Sequence, residues 1–381
     1  MKRRLVILTE LIAPYRIPVF NSLAGHPEID LHVIFLSETD RSLRQWPVYK
    51  EEIRFSHEVL PHWRRRIGKY NLLLNFGVGS SLDRIRPQAI VCGGYSYLSS
   101  WNAAVWARRK GVPLLLWSES TANDSRNARG IVESLKSRFL GCCRAFVVPG
   151  KSSFTYLCEL GAPQQAIFTA PNAVDIDFFA GAAQGVNASQ VRDRLELPQR
   201  FFLYVGRLVI EKGIFELLRA YAKLDAEIRA KIGLVFVGDG PARTELLHRI
   251  AAEGLESVRS VGFLHREELG KLYAVAEALV LPTHSDPWGL VVNEAMSCGL
   301  PVVTTSVAGC AADLVEDGWN GYIVPPGDVN GLYAALNTLA RQPESREQMG
   351  LRSAQRIRAY SPQTWAAGLV KAVDFVCPRS A

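Results

Sequence analysis

The chain has 381 residues, 48% hydrophobic, 21% charged and 9% aromatic, more than a single core holds at roughly 100–200 residues per domain, so two domains are expected. It contains no run of about 18 uninterrupted apolar residues, which leaves no candidate membrane span. The net charge of +7 is uneven: residues 1–180 hold 23 Lys and Arg against 15 Asp and Glu, whereas residues 181–381 hold 21 against 22.

In chain order, Met1-Lys2-Arg3-Arg4 looks like the basic start of a secretory leader, but Leu5–Leu8 is closed by Thr9-Glu10, so a first strand is expected instead. Ala13-Pro14-Tyr15-Arg16 follows it as a turn. The apolar runs Leu31–Leu36, Ala89–Cys92, Pro113–Trp117 and Ala145–Val148 each lead into a turn and a helix-like stretch. Phe201–Val205, Gly233–Val237, Ala278–Leu281 and Pro301–Thr304 repeat the pattern. Short continuous apolar runs bounded by Gly and Pro and alternating with helices predict parallel sheets covered on both faces, hence two doubly wound domains. The boundary is expected near Ala170–Asp175, giving domains 1–172 and 173–361. Residues 362–381 form a closing amphipathic helix, with Trp365, Leu369, Ala372 and Val376 at helical spacing, expected to pack back on the first domain.

Two features are read from composition. The seven cysteines, Cys92, Cys142, Cys143, Cys158, Cys298, Cys310 and Cys377, are odd in number, scattered and without CxxC spacing, which argues against a disulfide framework or a zinc site and fits a reducing cytoplasm. The densest basic run, His62-Trp63-Arg64-Arg65-Arg66-Ile67-Gly68-Lys69-Tyr70, has aromatic residues flanking cations. It suits anionic lipid headgroups or phosphorylated partners, with a solvated loop as the alternative.

In doubly wound sheets ligands bind beyond the carboxyl ends of the strands, which directs attention to the strand-to-helix turns. Gly206-Arg207 and Lys212-Gly213 place two cations just past a buried strand, a fork and a point charge suited to adjacent phosphates or to a departing diphosphate; ordinary surface charges are the alternative. In Asp286-Pro287-Trp288-Gly289-Leu290-Val291-Val292-Asn293-Glu294, Asp286 reads as an N-cap with proline at the first helical position. The amides of Trp288, Gly289 and Leu290 would then be unpaired at a positive helix end, an anion site. Asp286 and Glu294, eight positions apart, would stand roughly 12 Å apart along a helix axis and bracket a phosphate-linked ligand. Gly238-Asp239-Gly240-Pro241 lacks the third glycine of the dinucleotide fingerprint, which makes an oxidoreductase a weak reading. Gly262-Phe263 either lies beside a nucleotide base or is a plain strand end.

These turns together resemble the donor-binding half of the retaining glycosyltransferases of family four, whose GT-B fold has two Rossmann-like domains facing across a cleft. Pro171–Asp175, Trp319-Asn320-Gly321 and Pro326-Gly327-Asp328 extend the likeness over most of the chain. The resemblance implies that the first domain binds the acceptor and the second the nucleotide sugar. It implies that Arg207 and Lys212 hold the diphosphate, Glu294 the ribose, the amides around Gly289, Leu290 and Val291 the distal phosphate, and that Asp286 contacts the transferred sugar. Three departures stand out: Asp286 replaces the usual Glu, Thr9–Arg16 lacks the glycine-rich loop and offers Tyr15 for an acceptor and Arg16 for a phosphate or an acceptor, and Glu119 stands where many members place a histidine. Glu119 would orient or deprotonate an acceptor hydroxyl, or merely cap.

The expectation is therefore a metal-independent, retaining transferase that takes a nucleotide diphosphate sugar, needs no cofactor, and glycosylates a glycan, glycolipid or lipid-linked acceptor in cell-envelope polysaccharide or glycoconjugate synthesis. It would be cytoplasmic, free or peripheral on the inner face of a membrane, with no nucleic-acid partner. The alternatives are a nucleotide-sugar epimerase on the same fold and a non-catalytic nucleotide-sugar-binding subunit.

Overall fold

The computed structural model describes residues 2–39, 47–67, 70–122 and 131–378; Met1 and the Gly68-Lys69 part of the basic run lie outside them. The chain divides into two compact units, Met1–Val174 with Ser361–Ala381, and Asp175–Tyr360. Ala173, expected to open the second domain, is buried in the core of the first.

Among its described residues the first unit contains nine strands: β1 (Arg3–Leu11), β2 (Ile29–Ser37), β3 (Ser56–Val59), β4 (His62–Ile67), β5 (Tyr70–Asn75), β6 (Ala89–Cys92), β7 (Leu114–Trp117), β8 (Ala145–Val148) and β9 (Ile167–Thr169). Seven of them form a parallel sheet in the order β3-β2-β1-β6-β7-β8-β9. Side chains alternate between its two faces, so β7 sends Leu115 and Trp117 into one core and Leu114 and Leu116 into the other. The first of these cores is completed by the helix Pro362–Val376, which opens on a proline and is capped by Ser361, whose Oγ accepts from Thr364 N at 3.2 Å. Trp365 is fully buried there, its ring 5.2 Å from Trp117 and 5.8 Å from Phe20.

The described part of the basic run is not a loop. His62–Ile67 and Tyr70–Asn75 pair as an antiparallel hairpin, apart from the main sheet, with Trp63 opposite Leu74 and Arg65 opposite Leu72. The apolar segment Leu72-Leu73-Leu74 supplies the partner strand that the charges of β4 conceal in the sequence.

The second unit has six parallel strands, β10 (Phe201–Val205), β11 (Gly233–Val237), β12 (Val258–Gly262), β13 (Ala278–Leu281), β14 (Val302–Thr305) and β15 (Gly321–Val324). Their order is β12-β11-β10-β13-β14-β15. β10, β11 and β13 are buried at every position, the burden of a central strand with helices on both faces. The order reverses between β10 and β13, so the turns that follow these two strands flank one crevice, the usual ligand position of such a sheet. None of the helices among the described residues is long and apolar enough to cross a membrane.

Candidate functional site

The crevice in the second unit is built from the turns after β10 and β13. After β10, buried Tyr204 donates its hydroxyl to the Arg207 carbonyl at 2.8 Å and so holds the turn that presents Arg207. Burial, with the Asp286 charge second, pushes the Tyr204 hydroxyl far above its ordinary value and keeps it a donor. The Arg207 side chain is exposed and has no hydrogen-bonded or ion-pair partner among the described residues. Lys212 closes a short 3-10 turn that presses against the next connection: Gly213 has φ +68°, and a Cβ there would stand 1.9 Å from the Pro282 carbonyl oxygen. Only glycine satisfies both conditions. His284 N donates to Glu211 O at 2.9 Å, tying the two turns together.

Across this seam Lys212 Nζ meets Asp286 Oδ2 at 2.5 Å and the Ser285 carbonyl at 3.1 Å, with both charged side chains largely shielded from solvent. The expected N-cap role of Asp286 is overturned. Its Oδ1 accepts from Trp288 N at 3.2 Å, its backbone bridges Ala308, and its carbonyl accepts from Gly309 N at 2.9 Å. With Asp286 bridged in this way, the helix runs only over Leu290–Ser297 and starts from Gly289, whose φ is +93°. The 12 Å axial separation computed for a continuous helix therefore does not apply. Trp288 N is also removed from the set of free amides. Val292 N is already paired with Gly289 O at 2.9 Å, which leaves Gly289, Leu290 and Val291 with amides unpartnered among the described residues. Those three donors at a helix end make a site for an anion.

Glu294 lies one turn into this helix. Its Oε2 accepts from the Tyr273 hydroxyl at 2.8 Å, no cation is paired with it among the described residues, and burial pushes its carboxyl up to about 7 against the opposing hydrogen bond. Tyr273, fully buried at the end of the helix Arg266–Tyr273, was not singled out in the sequence, since nothing local links it to a residue 21 positions later. Gly262 ends β12, two strands from β10, and Phe263 follows it. Gly262 O accepts from Gly238 N at 2.8 Å, and Phe263 is 40% exposed with its ring edge-on to His265.

The first unit carries a second group of polar side chains beyond its strand ends. The turn Pro14–Arg16 follows β1, and the Arg16 guanidinium lies over Trp117, 4.0 Å from the ring centroid, and 5.2 Å from that of Tyr15. Arg16 Nη2 bonds Glu119 Oε1 at 2.6 Å and Nη1 reaches Asn172 Oδ1 at 3.4 Å. Tyr15, Arg16 and Glu119 thus form one cluster, with Glu119 ion-paired. Beside it Lys136 Nζ donates to the Tyr156 hydroxyl at 2.7 Å and sits 5.7 Å from the Tyr95 ring centroid, a grouping of three separate elements that sequence spacing does not reveal. Among the described residues no group of three or more His, Cys, Asp or Glu is placed to hold a metal ion.

Residues 188–356 match the model of the family described as glycosyl transferases group 1. Alpha-D-kanosaminyltransferase of Streptomyces kanamyceticus is 35% identical over 175 residues, 45% of this chain and 45% of that protein. A D-inositol 3-phosphate glycosyltransferase of Frankia alni is 29% identical over 304 residues, 74% of this chain and 73% of its own. The chain spans about a third to a half of the length of the first such relatives it matches. Among solved structures, Anabaena HepE in complex with UDP superposes with a TM-score of 0.79 at 18% identity, covering 98% of this chain and 100% of that one. Sucrose-phosphate synthase from Thermosynechococcus elongatus does so at 0.76 and 20% identity, covering 99% and 100%. The chain takes the GT-B fold, two Rossmann-like parallel sheets with helices.

Proposed function

We propose, for a chain whose residues 188–356 match the model of glycosyl transferases group 1, that it moves a sugar from a nucleoside diphosphate sugar to an acceptor hydroxyl with retention of configuration. The observation that carries this reading is the set at the β10/β13 crevice: a free guanidinium, a lysine held by Asp286, three open amides and a buried carboxyl. Arg207 and Lys212 would hold the diphosphate, the amides of Gly289, Leu290 and Val291 the distal phosphate, and Glu294 the ribose hydroxyls. Gly262 and Phe263 would lie beside the base, and Asp286 would contact the transferred sugar.

An ammonium has three N–H donors, and two of those of Lys212 are engaged by Asp286 and Ser285, so the third is available to a phosphate oxygen. Negative charge growing on the leaving diphosphate is met by preorganised donors, which is transition-state stabilisation that needs no metal ion. The departing phosphate takes the acceptor proton in this reading. Glu119, fixed through one oxygen by Arg16, keeps Oε2 for the acceptor hydroxyl, and Tyr15 lines the same cluster. A glycan, glycolipid or lipid-linked acceptor in envelope glycoconjugate synthesis fits best, with the protein peripheral to a membrane.

Thermal-shift measurements over UDP-, GDP- and ADP-sugars test the donor half, since a ligand at 100 times its Kd stabilises by about 2.7 kcal/mol. HepE structures hold UDP and UDP-glucose, which makes the uridine series the first to try. Slow hydrolysis of the responding sugar nucleotide, with the released sugar's anomer read by NMR, supports retaining transfer. A sugar nucleotide that binds but is never cleaved or epimerised leaves a binding subunit.

A further inference from the structure

The β4–β5 hairpin has two unlike faces. Cross-strand partners share a face, and so do residues two apart on a strand. One face is pinned to the first unit: Leu73 is buried, Asn75 Nδ2 donates to Leu36 O at 2.5 Å and its Oδ1 accepts from Ser99 Oγ at 3.0 Å, and His62 Nε2 lies 3.3 Å from Ser37 Oγ. Arg64 belongs to this face, largely shielded from solvent, with Nη2 3.9 Å from Glu10 Oε1. It is therefore not a free surface cation as its place in the basic run suggested.

The other face carries Trp63, Arg65, Leu72 and Leu74, and Phe76 continues it past the strand end, its amide donating to Pro61 O at 3.0 Å. Trp63 is 45%, Leu72 39% and Phe76 61% exposed. Side chains of this size gathered outward on one hairpin are not ordinary surface composition; such patches mark contact sites. No other strand among the described residues pairs with either edge. Charge selects the occupant. Among the described residues Arg65 is the charged side chain of this face, and between Glu58 and Asp83 the sequence holds no acidic residue to oppose it. Packing two copies of this face together would bury Arg65 in an apolar seam with no acidic partner, whereas an anionic bilayer offers headgroups to Arg65 and a hydrocarbon boundary to Trp63, Leu72 and Phe76.

We propose that the outer face of the hairpin seats the protein on an anionic lipid bilayer. The inference deepens the reading of a lipid-linked acceptor and rests on it for its purpose, while its physical test needs no donor. The full-length protein is sedimented with vesicles of phosphatidylcholine containing one third phosphatidylglycerol, and with phosphatidylcholine alone, at low and high salt. The wild type pellets with the anionic vesicles at low salt and is released by high salt. Arg65→Glu weakens partitioning by about fivefold or more, the worth of one interfacial cation, and Trp63→Ser with Phe76→Ser abolishes it. Leu247→Ser, which removes an exposed leucine of the second unit, leaves it unchanged. Equal pelleting of the wild type and the Trp63/Phe76 variant, equal pelleting with neutral vesicles, or no pelleting at all overturns the proposal. So does a wild-type dimer in size-exclusion chromatography that the double variant abolishes while vesicles bind neither, since that assigns the face to a second copy. Thermal shifts by sugar nucleotides on the same proteins report separately on the transferase reading.

Discussion

Replacing Glu294 by Gln tests the donor site and its electrostatics together. The carboxyl is raised from 4.5 to about 7 by burial, so the native state favours the neutral form. A native value above the unfolded one gives stability that is fully present below about pH 4.5 and is lost as pH rises to about 7, beyond which the loss is constant. At 1.36 kcal/mol per unit the full loss is about 3 kcal/mol, an upper figure for a partly accessible group. Glutamine is neutral throughout and still accepts from the Tyr273 hydroxyl. The variant should match the wild type near pH 5 and exceed it near pH 8 by roughly 1–3 kcal/mol in denaturant unfolding. Donor binding should show the opposite preference. Ribose hydroxyls donate to an ionised carboxylate, so wild-type affinity for the sugar nucleotide, measured by calorimetry, rises with pH until about 7 and then levels. The Glu294→Gln variant should bind more weakly by roughly 1–3 kcal/mol above that pH, with no such rise. Equal affinity of the two proteins at pH 8 would refute the ribose assignment, and parallel stability profiles would refute the raised carboxyl.

Tyr273→Phe removes the hydrogen bond that holds the Glu294 carboxyl down, so the midpoint of the donor-affinity profile should move above about 7, at a stability cost of roughly 0.5–1.5 kcal/mol; an unmoved midpoint contradicts the contact. Lys212→Ala should lower kcat by about 10- to 1000-fold with a smaller change in KM, because charge on the leaving diphosphate is greatest in the transition state. A rise in KM alone would make Lys212 an anchor. A chelator should leave turnover intact if Arg207, Lys212 and the helix amides carry the diphosphate charge, and full loss on chelation, restored by a divalent ion, would reverse that assignment. Trp365→Ala empties a fully buried site beside Trp117 and Phe20 and should destabilise the first unit by roughly 3–5 kcal/mol, read by thermal unfolding; a cost below 1 kcal/mol would mean that the helix Pro362–Val376 frays free of that core.

The central strands were legible because their burial is written locally. Ala89–Cys92, Ala145–Val148, Phe201–Val205, Gly233–Val237 and Ala278–Leu281 are continuous apolar runs between breakers, and each appears with the bounds read from the sequence. Prolines displaced two others, β7 and β14, which begin one residue after Pro113 and Pro301, where an N–H is again present for the ladder. The marginal strands β3 and β9 escaped notice because Ser56–Val59 and Ile167–Thr169 are short and only partly buried, and the hairpin did so because its charged strand is held by a partner that a local reading scored separately. The residue types of the candidate site were likewise visible in the turns: the Arg and Lys after one strand, and the Asp and Glu around the start of a helix.

Only the tertiary structure could decide what those groups touch. Lys212 and Asp286 are 74 residues apart, and their contact exists because β10 and β13 are neighbours at the point where strand order reverses. Asp286 fails as a helix cap because Ala308 and Gly309, on a later connection, hold its backbone extended, a pairing that outweighs the local preference of an Asp-Pro sequence for opening a helix. Glu294 reads in the sequence as one carboxylate of a pair bracketing a ligand, but only the helix Arg266–Tyr273 packed beside it shows that it is shielded from water and held by one phenolic hydrogen bond. Sequence carries short-range burial and turn chemistry. The ionisation of a carboxyl and the partner of a lysine depend on which distant segments exclude water around them, and that follows only from the packed chain.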